Sequence, residues 1–164
     1  MKRMILLSLF CLAGIVMANA QRFALIDMEY IMENIPEYQQ ANNELELASQ
    51  QYQKAVEAKA KEAEALYLAY QKAANTLSAT QRTQKEEAIV AKEREAAELR
   101  KKYFGPEGEM AQKQEALIAP IQNRIYEAVK QISSQKGYDA VIDRASATSI
   151  IFASPRIDIS NEVL

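Results

Sequence analysis

Apolar side chains recur three and four residues apart between residues 36 and 77, and polar side chains fill the positions between them. Helix-favouring Ala, Glu, Lys, Gln and Leu dominate this segment, and after Pro36 neither Gly nor Pro interrupts it. The spacing predicts one long helix, on the order of 60 Å, whose coiled-coil seam contains a stutter near Val56. The predicted seam consists of Tyr38, Ala41, Leu45, Ala48, Tyr52, Val56, Ala63, Leu66, Tyr70, Ala73 and Leu77.

A second helix is predicted to follow Ser78, because Gln81 three residues later completes a capping-box pattern. It should break or bend at residues 105–108, which contain Gly105, Pro106 and Gly108. The helix then resumes, and Pro120 either starts a new segment or kinks it. The apolar positions before the break are Ile89, Ala96, Leu99 and Tyr103, and those after it are Met110, Leu117, Ile121, Ile125, Val129 and Ile132.

Beyond residue 20, strand-like sequence occurs only near the two ends of the chain. Residues 23–28 predict one strand, and residues 138–142 and 150–153 predict a β-hairpin, with a short helical turn at the very end. The first strand can pair only with this hairpin, so both ends of the chain must meet. The two long helices must therefore run antiparallel.

Three short strands with apolar residues on both faces are too few for a stable sheet, and they would leave open edges. We therefore expect neighbouring subunits to complete a shared β body. Its predicted apolar residues are Phe23, Leu25, Ile26, Val141, Ile142, Ile150 and Ile151.

Residues 1–20 have the pattern of a secretory signal peptide, with Lys2 and Arg3 before an apolar run and an A-x-A site at residues 18–20. A membrane anchor is the alternative, but the run is shorter than the ~20 residues that a spanning helix needs. Cleavage would leave 144 residues, in which the 20 basic residues less Lys2 and Arg3 give 18, against 22 acidic ones. We expect an exported, mildly acidic protein of the periplasm, without stable membrane insertion.

The residue types argue against an enzyme. The chain has no His, its one Cys is Cys11 in the predicted signal peptide, and its glycines form no phosphate-binding pattern. Carboxylates are plentiful, but pairs such as Glu57 with Lys61, four residues apart, are typical of a solvated helix surface. We predict no catalytic site, metal or cofactor, and no nucleic-acid partner.

Three stretches, "FALIDMEYIMENIPEY", "PIQNRIYEAVKQISSQKGYDAVID" and "SIIFASPRIDISNEVL", resemble the Skp (OmpH-like) family of periplasmic chaperones. The resemblance covers the chain after the predicted signal peptide. It implies a homotrimer of α+β class, in which a long antiparallel helical-hairpin arm projects from a small β body shared between three subunits. It also implies an ATP-independent holdase whose arms enclose a cavity for unfolded outer-membrane β-barrel proteins.

On this reading residues 1–20 are the signal peptide, 21–35 and 131–164 belong to the body, and 36–130 form the arm, with its turn near 77–80. Residues 39–125 contain 13 basic and 13 acidic side chains, whereas the resemblance implies strongly basic arms. Electrostatic capture of clients should therefore be weak, and we carry over no lipopolysaccharide site from the resemblance, so the sequence leaves lipopolysaccharide binding open.

Two local interpretations stay open at the level of the sequence. The break at Gly105, Pro106 and Gly108 is either a flexible hinge or a rigid packed bend. Tyr67, next to Leu66 and off the seam register, either faces clients or merely widens the seam. A structural or adaptor coiled coil of the cell envelope, without chaperone activity, is the alternative function.

Overall fold

The computed structural model describes residues 21–147 and 149–164, so the predicted signal peptide lies outside the described residues. The chain is mostly helical and divides into a sheet unit, residues 21–31 and 126–164, and a helical unit, residues 32–125. The elements are β1 (Phe23–Ile26), α1 (Met28–Glu33), α2 (Pro36–Ala73), α3 (Ala79–Phe104), α4 (Glu109–Lys136), β2 (Ala140–Asp143), a 3-10 turn (Pro155–Ile157) and α5 (Ser160–Val163).

The sheet unit is built around β1, which pairs in parallel with β2 so that Phe23 lies opposite Ala140 and Ile26 opposite Asp143. On the other side of β1, Leu25 forms a parallel bridge with Asp158, and the Ile159 N–H donates to the Leu25 carbonyl at 2.9 Å. Ala24, Leu25 and Ile26 are all buried. A strand covered on both faces in this way is typical of parallel pairing, and it explains the uninterrupted apolar run.

The predicted C-terminal β-hairpin is wrong. Residues 140–143 form a strand, but the described residues among 144–154 form none, and the sheet has only two strands. The Arg144 N–H donates to the Ile26 carbonyl at 2.8 Å, which keeps the chain on the β1 side as it leaves β2. The chain then returns to the far edge of β1 at Asp158, so the free edge of β2 receives no second hairpin strand.

The helical unit confirms the predicted seam. Helix α2 packs closely along α3, and all predicted seam positions from Tyr38 to Leu77 are buried or half-buried, as are Ile89, Ala96, Leu99 and Tyr103. The capping box is also confirmed, since the Ser78 hydroxyl accepts the Gln81 N–H at 3.3 Å and the Gln81 side chain accepts the Ser78 N–H at 3.0 Å. The chain therefore turns back after α2.

Helix α4 resumes the returning chain after the break. It continues through Pro120 as one helix, so Pro120 does not begin a new segment. Ile121 and Ile125 are its buried residues. Among the residues that the structure describes, no helix is long and apolar enough to cross a membrane.

Candidate functional site

The seven predicted body residues all lie in the sheet unit, but they differ in burial. Leu25 and Ile26 are core residues, Val141 and Ile150 are half-buried, and Phe23, Ile142 and Ile151 are exposed. Ile151 is completely exposed and its neighbour Phe152 is 85% exposed. The single chain thus buries Ala24, Leu25 and Ile26 of β1 and leaves a large part of its other apolar side chains in water.

These exposed side chains have a common chemistry. Phe23, Ile142, Ile151, Phe152 and Ile157 are large, apolar and at least about one-third exposed within a unit of modest size. Several exposed large apolar side chains in so small a unit are consistent with a surface that another protein covers. Phe152 and Ile157 were not among the predicted body residues, although the run "SIIFASP" contained the signal for Phe152.

A polar network fixes the C-terminal segment beside β1. The Arg144 guanidinium pairs with Asp27 at 3.1 Å and with Asp158 at 3.2 Å. The Ser160 hydroxyl donates to Asp158 at 2.6 Å and accepts the Asp27 N–H at 2.8 Å. Three separated parts of the sequence therefore meet at one end of the parallel strands.

The charge state of this network follows from its contacts. Burial raises the pKa of Asp158, but hydrogen bonds from Ser160 and the charge of Arg144 outweigh it, so the pKa lies below the usual 3.8. Burial also acts upward on the pKa of Asp143, and the Met28 N–H, donating at 3.1 Å, and further hydrogen bonds bring it below 3.8. Both carboxylates therefore stay ionised at neutral pH, consistent with a structural role.

In the helical unit, Tyr67 is 48% exposed and borders a shallow groove between α2 and α3. Its hydroxyl accepts a hydrogen bond from Gln71 at 2.9 Å, while its ring remains open to solvent. The other groove residues are Ala60, Ala63, Glu64, Glu93 and Ala96. Tyr67 thus lies beside the seam and presents an aromatic face next to small side chains.

The stutter in the seam is filled by charges. Lys59 on α2 lies 3.9 Å from Glu95, and Lys92 on α3 lies 3.5 Å from Glu62, so two ion pairs cross between the helices. Each lysine also pairs with the glutamate three residues on in its own helix. The sequence showed that the apolar spacing of the seam is interrupted at Lys59. It did not identify the glutamates that pair with the lysines, because the register of α3 against α2 was unknown.

The break between α3 and α4 contains the three predicted hinge residues. Gly108 is buried and Gly105 half-buried, while Pro106 is exposed. The Gly105 N–H donates to the Lys101 carbonyl at 2.8 Å and the Gly108 N–H to the Gly105 carbonyl at 2.9 Å. These hydrogen bonds favour an ordered bend; its flexibility stays a prediction.

Tyr52 on α2 contacts the last residues of α3, directly before the break. Its ring stacks on Tyr103, with 4.1 Å between centroids, and meets Phe104 edge-on at 6.3 Å. Hydrogen bonding to the Glu109 carboxylate, with a contribution from burial, raises the pKa of the Tyr52 phenol above its usual 10.0. The heptad spacing predicted Tyr52 as a seam residue, but it did not predict the ring contacts with Tyr103 and Phe104.

No group of three or more His, Cys, Asp or Glu is placed to hold a metal ion in residues 21–147 and 149–164. The structure offers two candidate surfaces for binding other proteins. One is the exposed apolar surface of the sheet unit, and the other is the open groove beside Tyr67.

Comparison with known proteins gives one consistent result. Residues 22–164 match the model of a family described as outer membrane protein (OmpH-like). The chaperone protein Skp of Yersinia enterocolitica is 27% identical over 153 residues, covering 93% of this chain and 90% of that protein. The crystal structure of a Caulobacter crescentus protein, described as an OmpH-like outer membrane chaperone, superposes with a TM-score of 0.68. At 12% identity over 87% of this chain and 81% of that one, this likeness shows a shared fold.

Proposed function

The chain belongs to the Skp/OmpH-like family, and we propose from this premise that it is an ATP-independent holdase chaperone for unfolded outer-membrane β-barrel proteins in the periplasm. The family match over residues 22–164 carries the proposal, because it includes both the sheet unit and the helical unit. A holdase needs surfaces that make many weak, non-directional contacts, and it needs no catalytic group.

The proposed working form is a homotrimer with a shared β body. The exposed Phe23, Ile142, Ile151 and Phe152 support association, because covering them would remove apolar surface from water. The free edge of β2 offers unpaired backbone groups that a neighbouring chain can satisfy. Three subunits in particular are proposed from the family resemblance.

Clients are held between the helical arms through apolar contact and confinement. Residues 39–125 carry equal numbers of basic and acidic side chains, and many of these charges pair with each other, as Lys59 and Lys92 do with Glu95 and Glu62. Little net charge is left to attract a charged client over a distance. Tyr67 is the best single candidate for a client contact, since its exposed ring offers a large surface that tolerates varied sequences.

The decisive experiment is an aggregation assay at two salt concentrations. Purified protein should suppress aggregation of an outer-membrane barrel protein diluted from urea without ATP, and client affinity should change by less than about tenfold between low and physiological ionic strength. No suppression would favour the structural or adaptor coiled coil instead. A loss on the order of a hundredfold at physiological salt would show that charge dominates the binding.

Within the same assay, Tyr67→Ala is expected to weaken client affinity by about three- to tenfold, because it removes the large aromatic surface beside the groove between α2 and α3. Leu47→Ala is the matched control, since Leu47 is also an exposed apolar residue of α2 and does not line the Tyr67 groove. Equal effects of the two substitutions, or none for Tyr67→Ala, would contradict a specific role for Tyr67.

A further inference from the structure

The returning chain changes its packing against α2 at the bend. Helix α3 lies close along α2, where Val56 and Ala63 are buried. Helix α4 approaches α2 less closely, and its Lys113 and Arg124 reach Glu44 and Glu37 as ion pairs between long side chains. Residues 105–108 therefore form a step between a part of the antiparallel hairpin with closely spaced helices and a part with more widely spaced helices, in which Ala41, Ala48, Ile121 and Ile125 are still buried.

Tyr52 lies beside this step and packs on the end of α3. Its ring stacks on Tyr103 with an interplanar angle of 7° and meets Phe104 edge-on at 83°, the second being a favourable geometry for aromatic pairs. Its hydroxyl interacts with Glu109, the first residue of α4. Glu109 in turn pairs with Lys102 at 3.2 Å, and the Lys102 ammonium lies 5.5 Å from the Tyr103 ring centroid. Tyr52 thus joins α2 to the end of α3, and the Lys102–Glu109 ion pair joins the end of α3 to the start of α4.

The backbone of the step can adopt this compact form only because it lacks side chains at two points. A Cβ at Gly105 would lie 2.4 Å from the Lys101 carbonyl oxygen, and a Cβ at Gly108 would lie 2.8 Å from the Tyr103 carbonyl oxygen. The same two glycines would give the backbone freedom to move if the compact form opened. The step thus combines a close-packed resting form with residues suited to a pivot.

We propose that Tyr52 is a latch that holds the α3–α4 bend in a closed form, and that the bend pivots at Gly105 and Gly108 when Tyr52 is released. The closed form keeps the rings of Tyr103 and Phe104 on α2 and fixes the direction in which α4 leaves α3. Release separates the break from α2 while the α2–α3 seam beyond it stays packed. If the proposed chaperone function holds, the latch controls how far the hairpin adapts to a client, but the latch itself is testable without any client.

Amide hydrogen exchange on the intact protein tests the latch. Tyr52→Ala should raise the exchange rate of the Gly105, Gly108 and Gln112 amides by about tenfold or more, while amides around Ile89 in the seam keep their rates. Tyr52→Phe, which keeps the ring and loses the hydroxyl, should give a smaller increase. Tyr70→Ala is the matched control, because Tyr70 hydrogen-bonds Glu86 across the same two helices, well away from the bend.

Spin labels provide a second readout. Glu87 and Glu115 lie on α3 and α4, are exposed, make no ion pair with another described residue and do not line the cavity at the bend, so cysteines placed there should not disturb the bend. With labelled chains diluted into unlabelled protein, Tyr52→Ala should broaden the distance distribution and Tyr70→Ala should not. Fast exchange at 105–108 in the unmodified protein, or equal changes along the whole hairpin in Tyr52→Ala, would overturn the latch.

Discussion

Replacing Ile26 with aspartate is expected to unfold the sheet unit, at a cost of at least about 3 kcal/mol. Ile26 is 5% exposed in β1, which is paired with β2 on one side and bridged to Asp158 on the other. The new carboxylate would lose its hydration and would lie opposite Asp143, whose depressed pKa keeps it ionised. Urea denaturation followed by amide exchange of β1 and β2 measures the loss.

Ile151→Asp is the matched control, because the same change is made at a fully exposed apolar residue of the same unit. It should leave the fold of the single chain intact and weaken association between subunits. Light scattering at low micromolar concentration separates the two effects. A fully folded monomeric wild type would refute the proposed trimer, and a stable, fully folded Ile26→Asp variant would contradict the burial of β1.

Sequence patterning correctly predicted that the first strand pairs with a strand near the C-terminus, but its second C-terminal strand is wrong. The run "FALI" forms β1 and "AVID" forms β2, but "SIIFASP" has the same strand propensity and forms no strand in the described chain. Strand propensity does not specify where the chain returns to β1 after it leaves β2. The return is set by contacts of Arg144 with Asp158 and with Asp27, the latter 117 positions away in the sequence. Such contacts leave no local periodic signal.

The helical unit was more predictable because its information is local. Three- and four-residue spacing identified the seam, and Ser78 with Gln81 identified the turn. The spacing did not predict the side-chain contacts that depend on the register between α2 and α3. Lys59 fills the stutter only because Glu95 lies opposite it, and Tyr52 contacts the bend only because Tyr103 and Phe104 end α3 at that level.

Gly108→Ala is expected to destabilise the helical unit by about 2–3 kcal/mol, a typical cost of forcing an added methyl group into a packed site. The added Cβ would lie within 2.9 Å of the Gly105 nitrogen and the Lys102 carbonyl oxygen. Both are backbone atoms, so relief requires the turn itself to shift rather than a flexible side chain. Urea denaturation monitored by circular dichroism at 222 nm, at fixed protein concentration, measures the loss.

Glu107→Ala is the matched control, because Glu107 is exposed in the same break and its side chain makes no hydrogen bond or ion pair to another described residue. It should change the free energy of unfolding by no more than about 0.5 kcal/mol. Equal stability of Gly108→Ala and Glu107→Ala would mean that the break relaxes without cost, as an open hinge would. A large loss confined to Gly108→Ala would instead require the compact bend, because only in that form do three backbone atoms of Lys102, Tyr103 and Gly105 surround the missing side chain.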